Sequence, residues 1–193
     1  MADNQIFMVA GLGNPGREYA QTRHNIGFFV AQALITTHRF PPEKNRPNTA
    51  YTKGLINGFN VVIARPQAYM NRSGPPLQQL AAYFKILPSN IIVVHDDLDL
   101  VFGRLLVAFN RGHGGHNGIR STIEALGTKE FNRVRIGVGR PHGGQGVTGH
   151  VLGRFSPSEV AELAKVVDQG AEACEAIIQR GVTAAMNLYN TRE

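Results

Sequence analysis

With a single cysteine, Cys174, this 193-residue chain can form no internal disulfide. Cys174 falls on the apolar side of a predicted helix, so a packed thiol is expected there rather than a nucleophile. Long apolar runs are missing too: stretches such as Ile91–Val94 are far shorter than a membrane span. The first residues, Met1-Ala2-Asp3-Asn4-Gln5, lack the basic-then-apolar layout of a signal peptide, so a cytoplasmic location is expected. There is no Gly-x-Ser-x-Gly nucleophile elbow, and no His-x-x-x-His helix or cysteine pair that would suggest zinc. Only 18% of residues are charged against 42% hydrophobic, which excludes a disordered chain. The length suits one α/β domain and is short for two.

Charge is present mainly with one sign. The net value is +6, but residues 1–155 hold 17 Lys and Arg against 8 Asp and Glu, whereas residues 156–193 hold 3 against 6. Arginine outnumbers lysine 15 to 5. Guanidinium forks suit phosphate groups, which raises a nucleic-acid partner, although charge alone fits a basic protein with solvated arginines equally well.

Periodicity supplies the elements. Ile6–Ala10 reads as a buried strand entering the loop Gly11-Leu12-Gly13-Asn14-Pro15-Gly16. Ile26–Thr37 and Leu77–Phe84 show helical spacing, Tyr51–Ile56 and Val61–Ala64 pair around Asn57-Gly58, and Ile91–Val94 is a core strand. Arg104–Phe109 reads as a strand near an edge, Gly115–Leu126 as a helix and Arg133–Val138 as a strand. Ser156-Pro157-Ser158-Glu159 starts a helix with a capping box, and Gly143-Gly144-Gln145-Gly146 reads as a mobile loop. Strands alternating with helices predict a single α/β domain whose sheet is covered on both faces. Ligands then bind beyond the carboxyl ends of the strands. Asn14, Asn71 and Asp96 each follow a strand, so all three are expected at one rim.

Gly11, Gly13 and Gly16 fit the dinucleotide fingerprint, but no acidic residue lies between Glu18 and Glu43 to hold a ribose, and Pro15 interrupts the loop. An oxidoreductase using NAD(P) is therefore a rival reading with little behind it. His24, at a loop-to-helix transition, gains meaning from Asp96: a carboxylate beside an imidazole fixes its tautomer and stabilises the imidazolium. His95-Asp96-Asp97-Leu98-Asp99 would also suit a metal, but a continuing strand points Asp96 and Asp97 to opposite sides. His116 and Asn117, after glycines 112, 114 and 115, fall at a helix N-terminus, where both are expected to contact substrate. Asn71 offers amide donors suited to an oxyanion. Without a side-chain nucleophile, a hydrolase built from these groups uses water deprotonated by His24, equipment that suits an ester.

Together these residues resemble the bacterial peptidyl-tRNA hydrolase family over nearly the whole chain. The motifs that carry the resemblance are the first glycine loop, Tyr19–Gly27, Met70-Asn71-Arg72-Ser73-Gly74, His95–Asp99 and Gly114-Gly115-His116-Asn117-Gly118. It implies a monomer with a twisted mixed β-sheet flanked by helices on both faces, no cofactor or metal, and peptidyl-tRNA as substrate. His24 matches the family's base and Asp96 the carboxylate that orients it. Asn14, Asn71 and Asn117 match asparagines of the substrate cleft, Tyr19 and Met70 its lining, and Arg135 the arginine that clamps the tRNA 5′-phosphate. The strand Arg104–Arg111 lacks the clamp's usual lysine; Arg104 or Arg111 is left to supply the second charge, with Arg111 the expected one. A non-catalytic RNA-binding protein of the same fold is the remaining alternative.

Overall fold

The structure, a computed structural model, describes residues 5–141, 143–144 and 146–191. In chain order these form β1 (Ile6–Gly11), α1 (Ile26–Thr37), β2 (Lys44–Arg46), β3 (Thr49–Ile56), β4 (Phe59–Pro66), α2 (Gly74–Phe84), β5 (Ile91–Asp97), β6 (Leu105–Phe109), α3 (Asn117–Leu126), β7 (Asn132–Gly137), α4 (Val147–Val151), α5 (Pro157–Arg180) and α6 (Val182–Tyr189). Single 3-10 turns at Arg23–Asn25 and Met70–Arg72 precede α1 and α2.

The seven strands make one mixed sheet in the order β2-β3-β4-β1-β5-β7-β6. The inner strands β4, β1, β5 and β7 run parallel, and β3, β2 and β6 are antiparallel to their neighbours. Parallel strands covered on both faces read as continuous apolar runs, and here they do. Met8, Ala10, Val62, Val93 and Phe131 pack with Leu77 and Leu80 of α2 and Ile119 of α3. Alternate residues Val9, Ile63, Ile92, Val94 and Ile136 pack on the other face with Val30 and Leu34 of α1 and Val167, Cys174 and Ile177 of α5. Cys174 is fully buried, and that burial pushes its thiol well above the ordinary range, as befits a core residue.

The predicted elements recur with shifted ends. Asn57 and Gly58 both take positive φ, 48° and 89°, which closes a tight hairpin and lengthens its strands beyond the predicted runs. Helix α3 starts at Asn117 rather than Gly115, because Gly114 and Gly115 have positive φ and His116 is the cap. Strand β5 runs through Asp97, so Asp96 lies within it rather than after it. The short β2 and α4, and α6 after Gly181, were not predicted. The mobile-loop reading at 143–146 rests partly on Gln145, which lies outside the described residues, as do the first four residues. Among the described residues no helix is long and apolar enough to cross a membrane.

One backbone contact positions the site. A Cβ on Gly27 would lie 2.4 Å from both Leu12 N and Val94 O, and one on Gly11 would lie 2.1 Å from Gly27 O. The first turn of α1 therefore rests directly on the backbones of β1 and β5, which sets the turn Arg23–Asn25 against their carboxyl ends. Arg23 fixes the turn from its other side. Its Nη1 donates to Arg154 O at 2.6 Å and its Nη2 to Glu159 Oε2 at 2.6 Å, the same carboxylate that closes the capping box of α5. At the far edge, Asn190 accepts the Val107 N–H at 2.8 Å and donates to Val107 O at 2.9 Å, so a side-chain amide occupies the outer side of β6.

Gly27→Ala is expected to lower stability by at least about 1–3 kcal/mol, the usual range for overpacking, since its obstacles are backbone atoms that cannot rotate away. Urea unfolding measures this; an unchanged midpoint would mean that α1 can lift off the strands freely.

Candidate active site

Strand alternation sends Asp96 and Asp97 to opposite faces at the end of β5, and their partners differ accordingly. Asp96 is 2% exposed. Its Oδ1 meets His24 Nδ1 at 2.8 Å and His116 Nε2 at 2.9 Å, so one carboxylate oxygen serves two imidazoles. The tautomers follow from the remaining contacts. His116 Nδ1 accepts the N–H groups of Gly118 and Ile119 at 3.1 and 3.3 Å as the N-cap of α3, so its proton is on Nε2 and is donated to Asp96. His24 likewise donates from Nδ1, and its Nε2 lone pair engages no described residue. Burial opposes ionisation of Asp96, but the two imidazoles, through charge and hydrogen bonds, hold its carboxyl far below the ordinary carboxylate range.

The ring atoms of His24 and His116 with Asp96 lie close enough together to invite a metal. The donor set argues for hydrogen bonds instead. A cation would need the His116 Nε2 lone pair, and freeing it means protonating Nδ1 and losing both cap bonds.

The three groups stand in a cleft of about 1020 Å³ that also includes Asn14, Tyr19, Met70, Asn71 and Asn117 in its lining. The rim predicted from strand ends is thus assembled. Asn14 is nearly buried; its Oδ1 accepts the Met70 N–H at 2.7 Å, which leaves Nδ2 for a ligand. Asn71 and Asn117 are exposed, and their amides bond no described residue. Met70 is 4% exposed, and its sulfur lies where a Cβ on Gly118 would sit at 2.5 Å, so it ties the 70–72 turn to α3 as well as lining the cleft. Tyr19 stacks edge-on with the exposed Tyr69, 6.4 Å between centroids.

Beyond Asp97 the cleft turns cationic. Arg135 Nε donates to Asp97 Oδ2 at 2.8 Å, while the exposed Arg111 has no carboxylate partner among the described residues. Arg111 lines the cleft and Arg104 does not. Two residues before Arg135 on β7 stands Arg133, which the sequence does not single out: it is buried, donates to Gly112 O at 3.0 Å, and has its pKa held down to about 10 by burial and by the charges of Arg135 and Arg111. Arg133 and Arg135 are two apart on β7 and share a face, a spacing legible in the sequence. His95 was also given no role. It is 3% exposed, donates from Nδ1 to Asp96 O at 2.7 Å, and stands edge-on to the His116 ring at 4.7 Å. Burial, then the charges of His116 and Arg133, lower its pKa well below the usual histidine value.

The family described as peptidyl-tRNA hydrolase matches residues 8–193. The peptidyl-tRNA hydrolase of Mycobacterium tuberculosis is 47% identical over 183 residues, 94% of this chain and 95% of that protein. That of Bacillus licheniformis is 43% identical over 187 residues, 97% of this chain and 100% of the relative. The crystal structure of peptidyl-tRNA hydrolase from Acinetobacter baumannii superposes with a TM-score of 0.90 at 36% identity, covering 100% of this chain and 98% of that one.

His116→Ala is expected to remove about 0.5–2 kcal/mol of stability with the helix cap. It also takes one of two donors from Asp96, whose depressed pKa stabilises the fold above its unfolded value and ceases to as pH falls through the folded one. The Asp96 carboxyl should titrate at higher pH in ¹³C NMR and acid unfolding should begin earlier; an unmoved Asp96 would contradict the shared-oxygen geometry.

Proposed function

The chain belongs to the peptidyl-tRNA hydrolase family, and from that membership we infer that it hydrolyses the ester between a peptide and the 3′ ribose of tRNA, returning the tRNA for use. The observation that carries the mechanism is the buried Asp96 carboxylate shared by His24 and His116 in the cleft. Asp96 holds His24 with its proton on Nδ1, which leaves Nε2 as a base. Nε2 takes a proton from water, and the hydroxide attacks the ester carbonyl. The charge that grows on the carbonyl oxygen is met by the Asn71 amide, a donor with no competing partner among the described residues. His24 then returns the proton to the departing ribose oxygen. Asn14 Nδ2 and Asn117 hold the peptide part, with Tyr19 and Met70 lining its place. His116, predicted to bind substrate directly, has both ring nitrogens engaged and acts on the reaction through Asp96. No step calls for a metal or cofactor.

Recognition of the tRNA falls to the cationic end of the cleft. Arg135 is oriented by Asp97 to meet the 5′-phosphate, and Arg111 supplies the second charge where Leu106 and Ala108 on β6 face the β7 arginines without a lysine. Among the described residues Asp97 is the one carboxylate that pairs with any of the guanidinium groups of residues 111, 133 and 135, and it pairs with Arg135 alone, so positive charge remains for a phosphate. A monomer working in the cytoplasm suits this reading.

Release of free peptide from an N-blocked aminoacyl-tRNA, measured with EDTA present, tests the chemistry. His24→Ala should slow release by on the order of 10²–10⁴ with the fold intact. Near-normal turnover would sink the assignment of the base, and tRNA binding without release by either protein would favour an RNA-binding role. For the clamp, Arg111→Ala should weaken tRNA binding and flatten its dependence on log salt by about one. An unchanged slope would remove Arg111 from the phosphate site.

A further inference from the structure

The base and the oxyanion donor come from turns far apart in sequence, Arg23–Asn25 and Met70–Arg72. Something must fix the gap between them, because a misplacement of about 1 Å can cost a hundredfold in rate. Asn25, directly after the base, is 2% exposed and reaches none of the cleft's open space. Its side chain instead grips a backbone: Oδ1 accepts the Asn14 N–H at 2.8 Å, and Nδ2 donates to Asn14 O at 2.9 Å. Both polar atoms of the buried amide are thereby satisfied by one residue of the first glycine loop. Asn14 passes the grip on, because its own Oδ1 accepts the Met70 N–H at 2.7 Å at the start of the turn that carries Asn71.

We propose that Asn25 is a positioning residue for the reaction, acting through Asn14 and the Met70 backbone to hold the Asn71 donor at a fixed distance from the His24 base. The chain of contacts is side chain to backbone, then side chain to backbone again, so each link defines a distance and a direction. Asparagine is the side chain that fits. It presents an acceptor and a donor side by side at the length needed to span one peptide unit, whereas aspartate lacks the donor and glutamine is a methylene too long. Asn25 makes no hydrogen bond to His24 or Asp96, so its effect falls on the donor side of the cleft.

The proposal rests on the reading of His24 as base and Asn71 as donor, and a double-mutant cycle separates the two. Peptide release is measured for Asn25→Ala, Asn71→Ala and the double variant across pH. Asn25→Ala should lower kcat by about 10–100-fold with KM changed less than about threefold, the split expected when geometry rather than ground-state binding is lost. In the Asn71→Ala background the same substitution should cost less than about threefold, because the donor it positions is already gone. The acid limb of the pH profile should keep its midpoint, since the His24–Asp96 pair is untouched. An equal loss in both backgrounds, or a moved acid limb, overturns the proposal. An Asn71→Ala protein with unchanged kcat overturns the underlying donor assignment instead. If Asn25→Ala cannot be purified folded, Asn25→Asp keeps the acceptor but sets an oxygen against Asn14 O. The kcat cycle is then run with it, and additivity there overturns the proposal equally.

Discussion

Two imidazole N–H groups converge on a single oxygen of Asp96, and most of the architecture serves that convergence. A carboxylate that is 2% exposed is tolerated only if its charge is met by donors, and these come from the turn before α1 and from the cap of α3. Neither segment reaches Asp96 without close approach of backbones. Helix α1 lies flush on β1 and β5 because Gly27 and Gly11 carry no side chains, and α3 begins where two glycines of positive φ turn the chain back over the sheet. His95 packs edge-on against His116 as a neutral, buried ring, which adds no cation to the cluster. Of the two histidines that hold Asp96, His24 alone keeps a ring nitrogen free of any described partner.

The parts legible in the sequence were those governed by short-range rules. Runs of apolar residues locate the parallel strands, and the rule that ligands sit beyond strand carboxyl ends gathers Asn14, Asn71 and Asp96 at one rim from the sequence alone. The alternation of side chains along β5 correctly separated Asp96 from Asp97. What stayed hidden depends on who meets whom in three dimensions. His116 looked like a substrate contact because its spacing shows a helix start but not that Nδ1 caps the helix while Nε2 holds a carboxylate. Asn25 carries no sequence signal of its own, since a side chain clamping a backbone eleven residues away leaves no periodic trace. Arg133 was overshadowed by Arg135, and only burial against Gly112 distinguishes the two. Short elements such as β2 and α4 carry too few residues to register a period. Helix α6 follows α5 with no break but Gly181, which reads as well as an ordinary helix end.

The amide of Asn190 has a consequence at the margin of the sheet. The outer side of an edge strand is a row of unsatisfied donors and acceptors, and any extended chain can continue the ladder there. Val107 has neither its N–H nor its carbonyl left to offer, because the residue just beyond α6 has taken both. The polypeptide thus finishes its sheet with a borrowed rung, one side-chain amide standing in for an eighth strand. The strand capped in this way is the one beside the β7 arginines, so the flank of the cleft has one rung closed to stray β-strands.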